Sequence, residues 1–114
     1  MLMGKVEIFL SILCLAAALA IAAPNKASMK PGDPEKGKAL FEPCSVCHNP
    51  DSEEKKVGPG LKGIFKRPKL HSGKKGSEEN ILSQINNGGG GMPAYGDMLT
   101  EQEKNDLLAY LKTL

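Results

Sequence analysis

The chain is 114 residues long, which allows one small domain. Its 15 Lys+Arg against 13 Asp+Glu leave a net charge of +2, too small to suggest a nucleic-acid binder. A composition 25% charged and 40% hydrophobic is globular and excludes disorder along the whole length. With no Trp, three Phe and two Tyr, the chain has little from which to build a core of its own. A metal, disulfides or a cofactor must fill the centre, and three cysteines, an odd number, do not suit a complete disulfide framework.

The first 23 residues differ from the rest. Lys5 gives a positive start, and Ile8 to Ala23 is apolar apart from Ser11. Ala20-Ile21-Ala22 is an A-x-A site, so residues 1–22 read as a secretory signal cleaved after Ala22, leaving 92 residues. The alternatives are an uncleaved anchor, for which the run falls short of the ~20 apolar residues that span a bilayer, and lipidation at Cys14, where Leu13 stands in place of a small residue. Cleavage removes Cys14 and leaves two cysteines, three apart. The leader is apolar rather than Arg-rich, which points to the periplasm of a bacterium and away from mitochondria.

Residues 23–32 read as a flexible lead-in and 33–114 as the domain. Asp33 is a good N-cap and Pro34 fits the first helical position, while Pro43 limits the helix to two or three turns. Residues 49–76, rich in Gly and Pro, predict a long ordered loop with one helical turn near Leu61–Phe65. Ser77 caps a short helix with Ile81, Leu82 and Ile85 on one face. Gly88 to Gly91 is expected to be too flexible for regular structure. Thr100 and Glu103 form a capping box for a last helix, whose apolar face is Leu107, Leu108, Tyr110, Leu111 and Leu114. The fold class is all-α, with three to four short helices and no strand pattern.

Cys44-Ser45-Val46-Cys47-His48 is C-x-x-C-H, the attachment signature of c-type haem. Two thiols three residues apart on a helical turn can each add to one haem vinyl group. His48 then lies under the iron and offers an imidazole nitrogen. Zinc would want a second Cys pair, and a thioredoxin-like pair would want a βαβ context. A plain disulfide between Cys44 and Cys47 would leave the thin core unexplained. One covalent haem c is the expected cofactor.

The sixth iron ligand decides the function. Met92 stands in Gly91-Met92-Pro93, where the preceding glycines let backbone pass close to a flat ring and Pro93 stiffens the loop just after the ligand. A thioether favours Fe(II) and raises the reduction potential. Met98 reads as packing, Met29 as lying near the mature start, and His71 as an exposed loop residue that could otherwise give bis-His ligation. With both axial sites filled by His48 and Met92, the iron has no place for a substrate, which argues for an electron carrier rather than an enzyme.

Over Gly32 to Leu114 the chain resembles the class I c-type cytochromes, in their short bacterial and algal form. The residues that carry this are Gly32-Asp33-Pro34-Glu35-Lys36-Gly37-Lys38 with Phe41 and C-x-x-C-H, Val57-Gly58-Pro59-Gly60-Leu61-Lys62-Gly63, Gly91-Met92-Pro93-Ala94-Tyr95, and Leu107-Leu108-Ala109-Tyr110-Leu111. The resemblance implies a cytochrome c fold wrapped around one covalent haem, with N- and C-terminal helices crossing at Gly37 against Tyr110 or Leu107. It implies that the Pro59 carbonyl accepts from the His48 ring, that Phe41 and Leu61 wall the haem, and that Tyr95 belongs to the methionine loop beside it. No Trp is present for a propionate, which leaves Arg67, Lys69 and Ser72 as candidates, and His48 to Met92 spans 44 residues, as in the shorter forms.

Eight basic residues and no acidic one lie between Lys55 and Lys75, whereas six acidic residues and only Lys104 lie between Glu78 and Asp106. This predicts transient electrostatic docking of a monomer to redox-partner proteins, with membrane contact only if the N-terminal segment stays attached. The alternative is a solvated surface with accidental asymmetry. Other functional readings are a haem enzyme or sensor with a labile sixth ligand, and a membrane-anchored subunit of a respiratory complex.

Overall fold

The computed structural model describes residues 29–114; the expected signal segment and residues 23–28 of the lead-in lie outside the described residues. In chain order these hold α1 (Pro34–Leu40), a 3-10 helix (Glu42–Val46), a second 3-10 turn (Ile64–Lys66), α2 (Glu78–Asn87) and α3 (Glu101–Leu111). The all-α reading holds for the described residues, where the only ladder pairing is an isolated bridge between Gly89 and Met92.

Helix α1 starts where the sequence places it. Asp33 Oδ1 accepts from the Glu35 and Lys36 amides at 3.0 and 3.3 Å, with Pro34 at the first helical position. It lasts only seven residues. Pro43 has no N–H to continue the ladder, so the backbone tightens into the 3-10 helix, with the Cys44 amide on the Phe41 carbonyl at 2.8 Å. This tight turn carries Cys44 and sets Cys47 at its end.

Helix α3 has the predicted capping box. The Glu103 carboxylate accepts from the Thr100 amide at 2.8 Å, and Thr100 Oγ1 accepts from the Glu103 amide at 3.2 Å. Leu107, Leu108 and Leu111 are buried, each contributing about 1.5–3 kcal/mol. The helix crosses α1 at Gly37, where a Cβ would sit 2.6 Å from the Asp106 carbonyl carbon and 2.8 Å from Tyr110 Cβ. Phe41 packs its ring on Tyr110 with centroids 5.4 Å apart.

Asp106 adds a second link between the same helices. Although buried, it accepts at Oδ1 from the Asp33 amide at 2.8 Å and from Gln102 Nε2 at 3.0 Å. These bonds, the Asp33 amide first, hold its carboxyl below the ordinary carboxylate range. A group depressed in the folded state stabilises above its unfolded pKa of about 3.9 and loses that contribution as pH falls through the lowered value. Asp106→Asn is therefore expected to show a smaller fall in thermal midpoint than the parent between about pH 5 and pH 2. An unchanged acid dependence would refute this.

Two sequence expectations change in the fold. Residues 30–32, read as part of a flexible lead-in, are pinned to α3: the Lys30 amide donates to Gln102 Oε1 at 2.9 Å, and Asn105 Nδ2 donates to the Lys30 carbonyl at 2.8 Å. The glycine run is an ordered turn. The Gly89 amide donates to the Met92 carbonyl at 2.9 Å and the Met92 amide returns the bond at 3.1 Å. Gly90 and Gly91 sit at its corners with φ of 62° and 93°, the pair of positive values that a primed turn requires. Glycine here sets a conformation that side-chain-bearing residues rarely adopt.

Candidate haem crevice

Five of the eight most buried apolar side chains, Phe41, Leu61, Ile64, Ile81 and Leu107, line a crevice of about 470 Å³. That volume lies in the range of small-molecule and cofactor sites. All eight residues expected at the site line it: Phe41, Cys44, Cys47, His48, Pro59, Leu61, Met92 and Tyr95. They come from three separate stretches of chain, 41–48, 59–61 and 92–95, brought together by the α1–α3 crossing, by α2, and by the loop after the C-x-x-C-H turn.

The two thiols are free and half-buried on one turn, where the Cys47 and His48 amides both donate to the Cys44 carbonyl at 3.1 and 2.9 Å. Burial, opposed in part by a backbone hydrogen bond, pushes the Cys44 thiol up from its ordinary pKa. A reactive dithiol site needs the opposite shift, so the pair does not resemble a thioredoxin-like centre.

His48 Nδ1 lies 2.8 Å from the Pro59 carbonyl oxygen. A carbonyl only accepts, so Nδ1 carries the proton and Nε2 keeps its lone pair for a metal. The partner is a backbone group in a stitched loop: the Gly58 amide donates to the Cys47 carbonyl at 2.7 Å, the Lys56 amide donates to the Gly58 carbonyl at 2.9 Å, and Lys56 Nζ reaches the Ser45 carbonyl at 2.8 Å.

Met92 is half-buried against the core on its glycine turn. Gln84 on α2 donates to the Gly88 carbonyl at 3.0 Å and approaches Met92 Sδ at 3.8 Å. The Tyr95 amide on the Ile85 carbonyl at 2.9 Å ties the following loop to α2. Sequence reasoning missed Gln84, whose partners lie four and eight residues ahead on a turn that looked irregular.

The other candidates separate. Met98 is 69% exposed, which corrects its reading as a packing residue. Met98 and Met29 are both absent from the crevice lining. Arg67 and Ser72 line the crevice and Lys69 does not, so the propionate candidates narrow to two. His71 is exposed and stands at the rim. No acidic side chain lines the crevice, which suits a group bearing two carboxylates.

These residues fit a covalent haem: apolar walls, two thiols on one turn, and an imidazole with its metal-binding nitrogen free. The cytochrome c family model matches residues 34–114. Cytochrome c-551 of Stutzerimonas stutzeri is 31% identical over 114 residues, covering 95% of this chain and 97% of that protein. Cytochrome c2 of Rhodopila globiformis is 34% identical over 104 residues, covering 76% and 98%. Among solved structures, cytochrome c6 of the diatom Phaeodactylum tricornutum aligns with a TM-score of 0.56 at 28% identity, over 72% of this chain and 93% of its own. Cytochrome cH of Methylobacterium extorquens aligns with a TM-score of 0.54 at 26% identity, over 73% and 100%. The chain belongs to the cytochrome c family. It carries one covalent haem c, with Cys44 and Cys47 positioned for attachment, and is an electron carrier, not an enzyme.

Proposed function

We propose that this cytochrome c shuttles single electrons between redox-partner proteins outside the cytoplasm, with His48 and Met92 as the axial ligands of a low-spin iron. The haem supplies the one-electron couple. Cys44 and Cys47 hold it, the Pro59 carbonyl keeps the His48 proton on Nδ1, and Phe41, Leu61 and Tyr95 exclude water from around it. Two filled axial positions leave little to rearrange between the two oxidation states, which suits fast electron transfer.

The observation that carries this reading is the His48–Pro59 bond at 2.8 Å, on the same crevice as a Met92 fixed by a two-bond turn. The test is an oxidised and reduced absorption spectrum of haem-loaded protein. A low-spin spectrum with the far-red methionine–iron band, and no reaction of the reduced form with carbon monoxide, is expected. A high-spin spectrum that takes up carbon monoxide would refute it.

Docking is electrostatic in this proposal. Among the described residues, none of the eight basic side chains from Lys55 to Lys75 pairs with a carboxylate. The acidic stretch is largely used inside the fold: Glu78 pairs with Lys112, Glu101 with Lys104, Glu103 caps α3, and Asp106 is buried. The basic side therefore faces the partner. Electron transfer to an acidic redox protein is expected to slow as ionic strength rises from about 10 mM to about 0.5 M. Lys69→Glu should slow it several-fold at low salt, and the two proteins should converge at high salt. Salt-independent rates would refute it.

Residues 1–22 serve in this proposal as a cleaved export signal, because an apolar run ends there on an A-x-A site. No helix among the described residues is long and apolar enough to cross a membrane. The mass of protein recovered from a periplasmic fraction tests the cleavage: a chain beginning at Ala23 is expected, and a full-length chain would refute it.

A further inference from the structure

We infer that Gly58 is a positioning residue for the axial imidazole: its bare α-carbon lies against the His48 ring, and that contact, with the Pro59 bond, sets the plane in which the ring faces the iron. The inference rests on the reading of His48 as an iron ligand and adds a residue that this reading does not use.

A Cβ built on Gly58 would lie 2.5 Å from His48 Cε1, 2.8 Å from Nδ1 and 3.1 Å from Nε2. All three are ring atoms, so the glycine faces the imidazole itself. Its backbone is not free to retreat. Its amide is bound to the Cys47 carbonyl at 2.7 Å, its carbonyl accepts from Lys56 at 2.9 Å, and Lys56 Nζ ties the loop to Ser45. The Pro59 bond alone is one contact about which a ring can still swing. A second contact across the ring removes that freedom, as outer-shell partners do at metal-bound histidines. The φ of Gly58 is not positive, so a left-handed backbone does not explain the glycine; the space taken by the ring does. An added methyl group must turn the ring or push the loop off the C-x-x-C-H turn, and the ring rotates about single bonds while the loop is held by three hydrogen bonds.

The plane of an axial imidazole fixes which iron d orbital holds the unpaired electron in the oxidised state, and so the order of the four haem-methyl proton resonances. The experiment records that order, with the midpoint potential, for the haem-loaded wild type, Gly58→Ala and Gly60→Ala. Gly60 is the structural control. Its Cβ would meet the backbone of Glu53 and Glu54 at 2.5 and 2.7 Å, and no His48 atom is among its nearest neighbours. Gly58→Ala is expected to alter the methyl order and shift the potential, whereas Gly60→Ala lowers the thermal midpoint and keeps the wild-type order. An unchanged order in Gly58→Ala, or the same change in both variants, would overturn the inference. If Gly58→Ala yields no haem-loaded protein, Lys56→Ala decides, since it removes the side-chain tie to Ser45, one of the three bonds that hold the loop against the ring, without adding a clash: displaced methyl resonances support the inference and wild-type ones overturn it. A wild type without a low-spin, histidine-ligated spectrum would instead remove the ligand reading.

Discussion

Met92→Ala is expected to abolish the far-red absorption band, open the sixth coordination position to carbon monoxide, and lower the midpoint potential by on the order of 0.1 V or more. Axial ligation commands a span of about 0.8 V in haem proteins, and a thioether lies toward its upper end. The fold should survive the change. The turn that carries Met92 is closed by backbone bonds to Gly89, which alanine leaves in place. Gln84 loses only its long contact to the sulfur and keeps its bond to the Gly88 carbonyl. A variant that remains low-spin and refuses carbon monoxide would show that another side chain holds the iron. His71 at the crevice rim would then be the first to replace.

Gly37→Leu is expected to cost about 3 kcal/mol or more, in the range of severe overpacking. For a domain of this size that corresponds to a fall in thermal midpoint of roughly 12–24 °C. The damage is specific to the helix crossing. The new Cβ would fall within 2.6 Å of backbone in α3, which cannot move aside as a flexible side chain can. Separating the helices would also strain the Asp33–Asp106 bond and the tilted Phe41–Tyr110 ring contact, both of which bridge the same interface. His48 and Met92 are not touched, so any protein that still folds should keep the wild-type haem spectrum. Thermal unfolding followed by absorbance and by circular dichroism checks both statements. An unaltered midpoint would mean that the crossing is looser than the geometry requires.

Much of this protein is legible in the order of its residues, because the signals are local. A cap is a side chain reaching an amide two or three positions on, and Asp33, Ser77 and Thr100 act where the sequence predicts. The attachment motif is local as well, since five consecutive residues on one tight turn bring both thiols and the imidazole together. Local reasoning failed where the reason for a residue lay at a distance. The glycine run looked irregular because glycine permits many conformations, and only the return bond between Gly89 and Met92 selects one. Lys30 looked mobile because its partners, Gln102 and Asn105, stand 72 and 75 residues away. Met98 looked like packing because its apolar character is visible in the sequence and its 69% exposure is not.

Residue order alone thus points to the helical class, the covalent cofactor and the candidate iron ligands, since each depends on residue type and short spacing. Packing in three dimensions settles which nitrogen of His48 is free, which of the propionate candidates reach the crevice, and that Glu78, Glu101, Glu103 and Asp106 serve the fold while the basic side chains from Lys55 to Lys75 pair with no carboxylate among the described residues. It also places Gly58 against the His48 ring. These depend on contacts between stretches that are far apart in the chain, and a distance in space has no signature in spacing along it.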